Sequence, residues 1–151
     1  MGRVPEVVVL IGLQASGKTT FYRQRFAATH VHVSKDAFPN ARRPQRRQMR
    51  MIEEALADGA DVVVDNTNPS PVEWTPIIAA AREHGARVVG YWFPPNLDAS
   101  MTRNAARDGR TRVPDIGLYA TIKILREPTT ADGFDELHTV RFDGAGGFDV
   151  R

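Results

Sequence analysis

The 151-residue sequence contains no cysteine. A disulfide, a catalytic thiolate and a cysteine-based zinc site are therefore excluded. No apolar run approaches the ~20 residues that cross a bilayer, and no signal peptide precedes the first predicted strand. We therefore expect a cytoplasmic protein with no membrane partner. These features carry no information on the oligomeric state.

Lysine is scarce: Lys occurs only at positions 18, 35 and 123, although Lys and Arg together number 20. The net charge is only +2. The arginine excess fits either a general compositional preference or the use of guanidinium groups to bind phosphates. The densest cluster consists of Arg42, Arg43, Arg46, Arg47 and Arg50. It indicates either a solvated helix face, paired in part with the glutamates that follow, or a surface that contacts phosphates.

Residues 12–19, GLQASGKT, form a complete G-x-x-x-x-G-K-[ST] phosphate-binding loop. An apolar β-branched run at 7–11 predicts a buried strand before it, and residues 19–26 predict a helix after it. In such a loop Lys18 reaches the β- and γ-phosphates and the Thr19 hydroxyl ligates Mg²⁺. The further candidates for contacts with the nucleotide are Gly12, Gln14, Ala15, Ser16, Gly17 and Thr20. The motif and its context predict that the chain binds ATP with Mg²⁺.

Two later predicted strands end in an acidic residue. The strand at 30–34 is followed by Asp36, and the strand at 60–65 ends at Asp65. Ligands of open α/β sheets bind at the carboxyl ends of the strands, so both acids are candidates for the active site. Asp36 could accept a proton from a substrate hydroxyl or only cap the next segment. Asp65 could support Mg²⁺ or only shape its loop through an Asx-turn.

Further site candidates lie in loops and helices near the same edge. Asn66 and Asn68 follow Asp65 and are expected to face the acceptor, as are Arg42 and Arg43. A helix is predicted from 97 to 107, and it carries Arg103 and Arg107 on one face at i and i+4. With the loop at 108–112 they fit a lid over a transferring phosphoryl group, or they are ordinary surface charges.

Strands alternate with helices along the whole chain. Helices are also predicted at 45–58, 70–84 and 114–125, and strands at 87–93 and 136–142. This order specifies an α/β fold: one P-loop kinase-like domain whose mostly parallel, five-stranded sheet has helices on both faces. We assign this domain, with its arginine-bearing lid, to residues 1–143. The glycine-rich residues 144–151 are predicted to be a flexible tail.

With these motifs the chain resembles the polynucleotide 5′-hydroxyl kinase family, especially the kinase domain of eukaryotic polynucleotide kinase/phosphatase. The most specific match is the segment VVVDNTNP at 62–69. Asp36 matches the general-base aspartate of that family, and Arg103 and Arg107 match its lid arginines. The similarity covers about residues 7–142. No D-x-D-G-[TS] phosphatase motif is present, and Pro39 stands roughly where the family has its substrate-phosphate arginine.

The resemblance implies transfer of the ATP γ-phosphate to a polynucleotide 5′-hydroxyl, with single-stranded or nicked 5′ ends as partners. Neither the acceptor nor a choice between DNA and RNA follows from the residues themselves. Two other functions are compatible with them: a P-loop kinase of a small hydroxylated metabolite, nucleoside or antibiotic, and a nucleotide-binding switch without transfer. The switch would require a purely structural Asp36.

Overall fold

A computed structural model of the chain describes residues 3–151. Residues 1 and 2, the start of the predicted 1–143 domain, lie outside the described residues. The strands are β1 (Glu6–Ile11), β2 (His30–Val33), β3 (Asp61–Asp65), β4 (Arg87–Trp92), β5 (Glu136–Phe142) and β6 (Phe148–Val150). The helices are α1 (Lys18–Arg25), α2 (Pro44–Ala57), α3 (Pro71–Glu83), α4 (Leu97–Ala105) and α5 (Asp115–Ile124).

The strands form one sheet in the order β2-β3-β1-β4-β5-β6. All pairs are parallel except β5 with β6, which is antiparallel. The predicted P-loop kinase-like α/β fold is confirmed. The predicted strand count is one short, because β6 adds a sixth strand within the segment expected to be a tail.

The glycines at 144–147 form a hairpin turn before β6. Gly144 and Gly146 have positive φ angles of 81° and 86°, which permit the chain to reverse direction. Phe148 is buried against Phe21 of α1, with ring centres 5.2 Å apart. A buried aromatic side chain therefore holds the end of the hairpin on the sheet, and glycine content alone did not reveal this.

The core lies on both faces of the sheet because the side chains of β1 alternate between them. Val7, Val9 and Ile11 belong to the cluster that includes side chains of α2 and α3. Val8 and Leu10 belong to the cluster that includes Phe21 and the β6 aromatic ring. Helices therefore cover both faces, as the sequence predicts.

Parallel pairing places the carboxyl ends of β1, β2 and β3 at one edge of the sheet. The phosphate-binding loop follows β1, a 3₁₀ turn at Lys35–Ala37 follows β2, and the polar segment 66–68 follows β3. This edge therefore brings together the site candidates of three separate segments. Among residues 3–151, no helix has the length and apolar character required to cross a membrane.

Candidate active site

The phosphate-binding loop turns sharply into α1. Gly17 precedes the helix with a φ of 95°, and Ala15 also has a positive φ of 56°. A β-carbon at Gly17 would lie 2.7 Å from the ζ carbon of Phe142. Glycine is therefore required at this position by both its backbone conformation and the adjoining ring. The loop therefore leads directly into the N-terminus of α1, an arrangement of backbone N–H groups that attracts anions.

Lys18 is folded back into this loop and is buried, with 7% of its surface exposed. Its Nζ donates hydrogen bonds to the carbonyl oxygens of Leu13, at 2.5 Å, and Gly12, at 3.1 Å. Burial lowers the pKa of Lys18 to about 8; the nearby Asp65 and Asp36 carboxylates oppose this shift, whereas Arg107 adds to it. The three charged residues that influence the pKa of Lys18 are catalytic and metal-binding candidates from three other segments, so the structure brings these candidates together around Lys18.

Thr19 and Asp65 meet at the start of α1. The Thr19 hydroxyl donates to Asp65 Oδ2 at 2.9 Å, and Asp65 is 4% exposed. Mg²⁺ in nucleotide sites is usually bound by one or two protein ligands together with phosphates and water. The hydroxyl-carboxylate pair fits that pattern. The described residues contain no cluster of three or more His, Asp or Glu side chains suited to a metal.

Asp36 is exposed at the 3₁₀ turn after β2. Its backbone N–H donates to Ser34 Oγ at 3.3 Å, so Ser34 caps the turn. Within residues 3–151 the Asp36 carboxylate accepts no hydrogen bond, and it caps no helix. The side chain is thus available to a substrate hydroxyl.

The two asparagines after β3 hold the backbone together. Asn66 accepts from the backbone N–H of Lys35 at 2.9 Å and donates to Gln48 of α2 at 2.6 Å. Asn68 is 2% exposed and donates to the Leu10 carbonyl at 2.8 Å. The expectation that Asn68 contacts the acceptor is wrong, because its amide is buried. Asn66 uses both amide atoms internally, and it fixes the backbone next to Asp36.

Of the remaining loop candidates, Gln14 directs its side chain away from the phosphate site. Its Nε2 donates to Thr121 Oγ1 of α5 at 2.9 Å. Ser16 is buried and its hydroxyl accepts from Lys18 Nζ at 3.3 Å, whereas Thr20 is exposed in the first turn of α1. Gln14 therefore connects the loop to α5.

Arg103 lies in α4, but this helix ends at Ala105 and not at 107, so the prediction that one helix face carries both arginines is wrong: Arg107 lies in the segment that follows the helix. Arg103 Nη1 donates to the Ala15 carbonyl at 2.6 Å. Burial lowers the pKa of Arg103 below its ordinary value, and nearby Arg107 adds to the shift. The Asn104 amide pairs with the backbone of Val113 at 2.6 and 2.9 Å, which closes the base of the predicted lid segment. Both arginines therefore lie close to the phosphate site.

A pocket of about 290 Å³ adjoins the phosphate-binding loop between the start of α4 and the β5-β6 hairpin. Its lining includes Ser16, Phe93, Asn96, Arg103 and Phe142. The Arg103 guanidinium lies 4.5 Å from the centre of the Phe142 ring. A flat cation and an exposed aromatic ring, beside a phosphate site, are suited to stacking with a heterocyclic base.

The arginine cluster lies at the start of α2, where it lines an open groove of about 800 Å³. Arg42 and Arg43 directly precede the helix, and Arg46, Arg47 and Arg50 lie on its exposed face. In the described chain, none of its five side chains forms a hydrogen bond or an ion pair, so the expected pairing of Arg50 with glutamates is absent. Arg47 lies over the ring of Phe38, 4.9 Å from its centre. Ile52 and Leu56 are buried on the opposite face of the helix. The groove lining is Ala41, Arg42, Arg43, Arg46, Arg47, Arg50, Met51 and Glu54.

The family model described as an AAA domain matches residues 7–123. The chain belongs to this AAA domain family. Its fold is that of a P-loop kinase, and the predicted resemblance to polynucleotide kinases is confirmed by its relatives. The matched range contains the phosphate-binding loop, Asp36, Asp65, the arginine cluster, Arg103 and Arg107.

Among curated proteins, the chain is similar to a protein of Acanthamoeba polyphaga mimivirus named as a bifunctional polynucleotide phosphatase/kinase, with 27% identity over 147 residues. The match covers 93% of this chain but 34% of the viral protein. A fungal RNA kinase structure matches with a TM-score of 0.72 and 18% identity, covering 93% of this chain and 39% of that chain. The gluconokinase of Sinorhizobium meliloti 1021 matches with a TM-score of 0.64 and 19% identity, covering 91% and 83%.

Sequence reasoning missed three residues at this site. His32 contacts Asp65 from β2 at 2.8 Å, and Gln48 holds Asn66 from α2. Phe142 contributes its ring from the end of β5. The detectable signal was positional: His32 lies next to the last residue of β2, the strand adjacent to β3. Nothing local to Gln48 or Phe142 marks them, since both contacts are long-range.

Proposed function

We propose that the chain transfers the γ-phosphate of ATP to the 5′-hydroxyl of a polynucleotide. The hydroxyl oxygen bonds to the γ-phosphorus, and the bond between that phosphorus and the β-γ bridging oxygen breaks. ADP leaves with the bonding electron pair, and the hydroxyl proton passes to the Asp36 carboxylate. Such a reaction depends on alignment and on compensation of charge, which is the chemistry that the site residues offer.

The nucleotide half of this proposal follows from the phosphate-binding loop. The loop N–H groups and Lys18 hold the β- and γ-phosphates, and the pocket beside Phe142 accommodates the base. Thr19 and Asp65 would support Mg²⁺, which neutralises the negative charge of the phosphates. Arg103 of α4 and Arg107, which follows this helix, add positive charge.

The observation that carries the polynucleotide acceptor is the arginine groove at the start of α2. Its five guanidinium groups make no internal ion pair in the described chain, and they lie on α2 and on the two residues before it, in the segment that follows the Asp36 turn. Unpaired guanidinium groups along one groove suit a phosphate backbone, because successive arginines can each bind one phosphate of the strand. A small neutral acceptor would not need such a surface.

Arg47 supports the same interpretation. Polynucleotide 5′-hydroxyl kinases have a substrate-phosphate arginine a few residues after the general base. This chain has Pro39 at roughly that position after Asp36. The Arg47 guanidinium lies over Phe38, the neighbour of Pro39, and so supplies positive charge to this loop from α2. We propose that Arg47 contacts the phosphate next to the reacting 5′ end.

The salt dependence of binding reports how many phosphate contacts the protein makes. Each contact to a single strand contributes about 0.7 to the slope of log affinity against log salt. Arg43→Ala combined with Arg47→Ala should weaken binding of a 5′-hydroxyl oligonucleotide and flatten this slope by roughly 1.4. Arg23→Ala with Arg151→Ala, which removes two exposed charges outside the groove, should leave the slope unchanged.

A second candidate is a kinase of a small hydroxylated metabolite. The similarity in fold and extent to a gluconokinase favours it. This candidate predicts a salt-independent acceptor affinity and no response of oligonucleotide binding to the arginine pair. If the affinity of the wild-type protein for the oligonucleotide does not change with salt, the acceptor is a small molecule and not a polynucleotide.

A further inference from the structure

His32 contacts Asp65, one of the two metal-binding candidates, although neither the loop motif nor the proposed reaction includes this histidine. Its Nε2 lies 2.8 Å from Asp65 Oδ2, the same oxygen that accepts from the Thr19 hydroxyl at 2.9 Å. An ionised carboxylate can only accept, so the imidazole N–H donates. Asp65 Oδ2 is thus held from β2 on one side and from α1 on the other.

The imidazole itself is held in place by a stack. The Tyr22 ring of α1 lies parallel to it, with centres 4.0 Å apart and 19° between the planes. The His32 side chain keeps 32% of its surface exposed, so it borders the site and is not part of the core. The stack fixes the direction in which the N–H points.

We propose that His32 is a positioning residue for Mg²⁺, resting on the proposed ATP-dependent function. By donating to Asp65 Oδ2 it holds the carboxylate in the rotamer that keeps the Thr19 hydroxyl oriented. Within residues 3–151, the other carboxylate oxygen, Oδ1, accepts no hydrogen bond. Hydrogen bonds to ligating or ligand-orienting groups typically change metal affinity by about 10- to 100-fold.

The chain contains a matched control two residues away. His30, also in β2, lies with its Nε2 2.7 Å from Glu6 Oε2, and its ring packs edge-on against Phe26. This pair has the same chemistry, but it lies at the start of β2, whereas Asp65 lies beside the end of that strand. If imidazole-carboxylate pairs in β2 only stabilised the fold, replacing either histidine should have the same effect on ATP binding.

The test measures equilibrium binding of a fluorescent ATP analogue in Mg²⁺ and in EDTA, without acceptor. The ratio of the two affinities reports the contribution of the metal. His32→Phe keeps a ring on Tyr22 but removes the donor, and it should reduce this ratio about 10-fold. His32→Gln, which retains a donor, should restore most of the ratio. His30→Phe should leave the ratio at the wild-type value, and thermal unfolding checks that each variant is folded.

The proposal is overturned if His32→Phe keeps the full Mg²⁺ ratio, or if it weakens binding equally in Mg²⁺ and EDTA, which indicates a structural role. Failure of wild-type protein to bind ATP at all would instead overturn the proposed function. The two failures are therefore distinguishable in one experiment.

Discussion

The Arg103 guanidinium lies 4.5 Å from the centre of the Phe142 ring and donates to the Ala15 carbonyl at 2.6 Å. Arg103 belongs to α4 and Phe142 ends β5, so one side chain connects the lid helix, the phosphate-binding loop and the C-terminal hairpin. A β-carbon at Gly17 would lie 2.7 Å from the same ring. The hairpin therefore packs against the phosphate-binding loop.

Phe142→Leu should weaken ATP binding. The change removes the aromatic face under Arg103, and an exposed cation-π contact contributes about 0.5 to 1 kcal/mol. We therefore expect a loss of roughly two- to fivefold in ATP affinity, measured by calorimetry. Phe142→Tyr keeps the ring and should bind as wild type does. An unchanged ATP affinity of Phe142→Leu would show that the Phe142 ring does not contribute to nucleotide binding.

ATP binding should weaken as the pH rises above about 8. Lys18 has a pKa of about 8 in the free protein, lowered mainly by burial. A bound triphosphate favours the ammonium form, so at higher pH binding must be accompanied by proton uptake. The affinity should then fall by up to ~10-fold per pH unit through this group.

Titration of ATP affinity from pH 7.5 to 9.5 checks this. Lys18→Met should bind more weakly throughout and lack the decline. If wild type and Lys18→Met show parallel curves, the pH dependence arises elsewhere.

Asp36→Asn should lower kcat with little change in ATP affinity. The substitution keeps the shape of the exposed side chain but removes the oxygen that accepts the proton, and general bases contribute about 10²- to 10⁴-fold. Asp58→Asn, at an exposed carboxylate that ends α2, should have wild-type kcat. If kcat of Asp36→Asn stays within about threefold of wild type, Asp36 has only a structural role. That result would support the alternative of a nucleotide-binding switch without transfer.

Arg107→Ala should lower kcat by more than about 10-fold, because an arginine facing the transferred phosphoryl group stabilises developing charge. Its influence on the pKa of Lys18 indicates that it lies near the phosphate site. Arg107→Lys should restore little, since a point charge does not replace the planar fork. Single-turnover kinetics provide the measurement, and Arg23→Ala, at an exposed residue of α1, is the control. Equal rates for Arg107→Ala and Arg23→Ala would contradict the lid role.

The fold was predictable because its signals are local. Buried β-branched runs, the phosphate-loop motif and glycines after helices each determine a neighbouring element. The placement of Asp36 and Asp65 near Lys18 was predictable because both acids stand at or just after the end of a parallel strand. It was not predictable where contacts join distant segments: Asn68 was assigned to the acceptor, although its amide reaches back to Leu10 inside the sheet. The β6 strand was missed for the same reason, since Phe148 is held by Phe21 of α1.

The most direct test of the proposed function is transfer of label from γ-labelled ATP, with Mg²⁺, to oligonucleotides and sugars presented side by side. The account predicts label on DNA or RNA that ends in a 5′-hydroxyl, and none on the same oligonucleotide already bearing a 5′-phosphate. Label on a sugar, nucleoside or antibiotic with none on either oligonucleotide would contradict it.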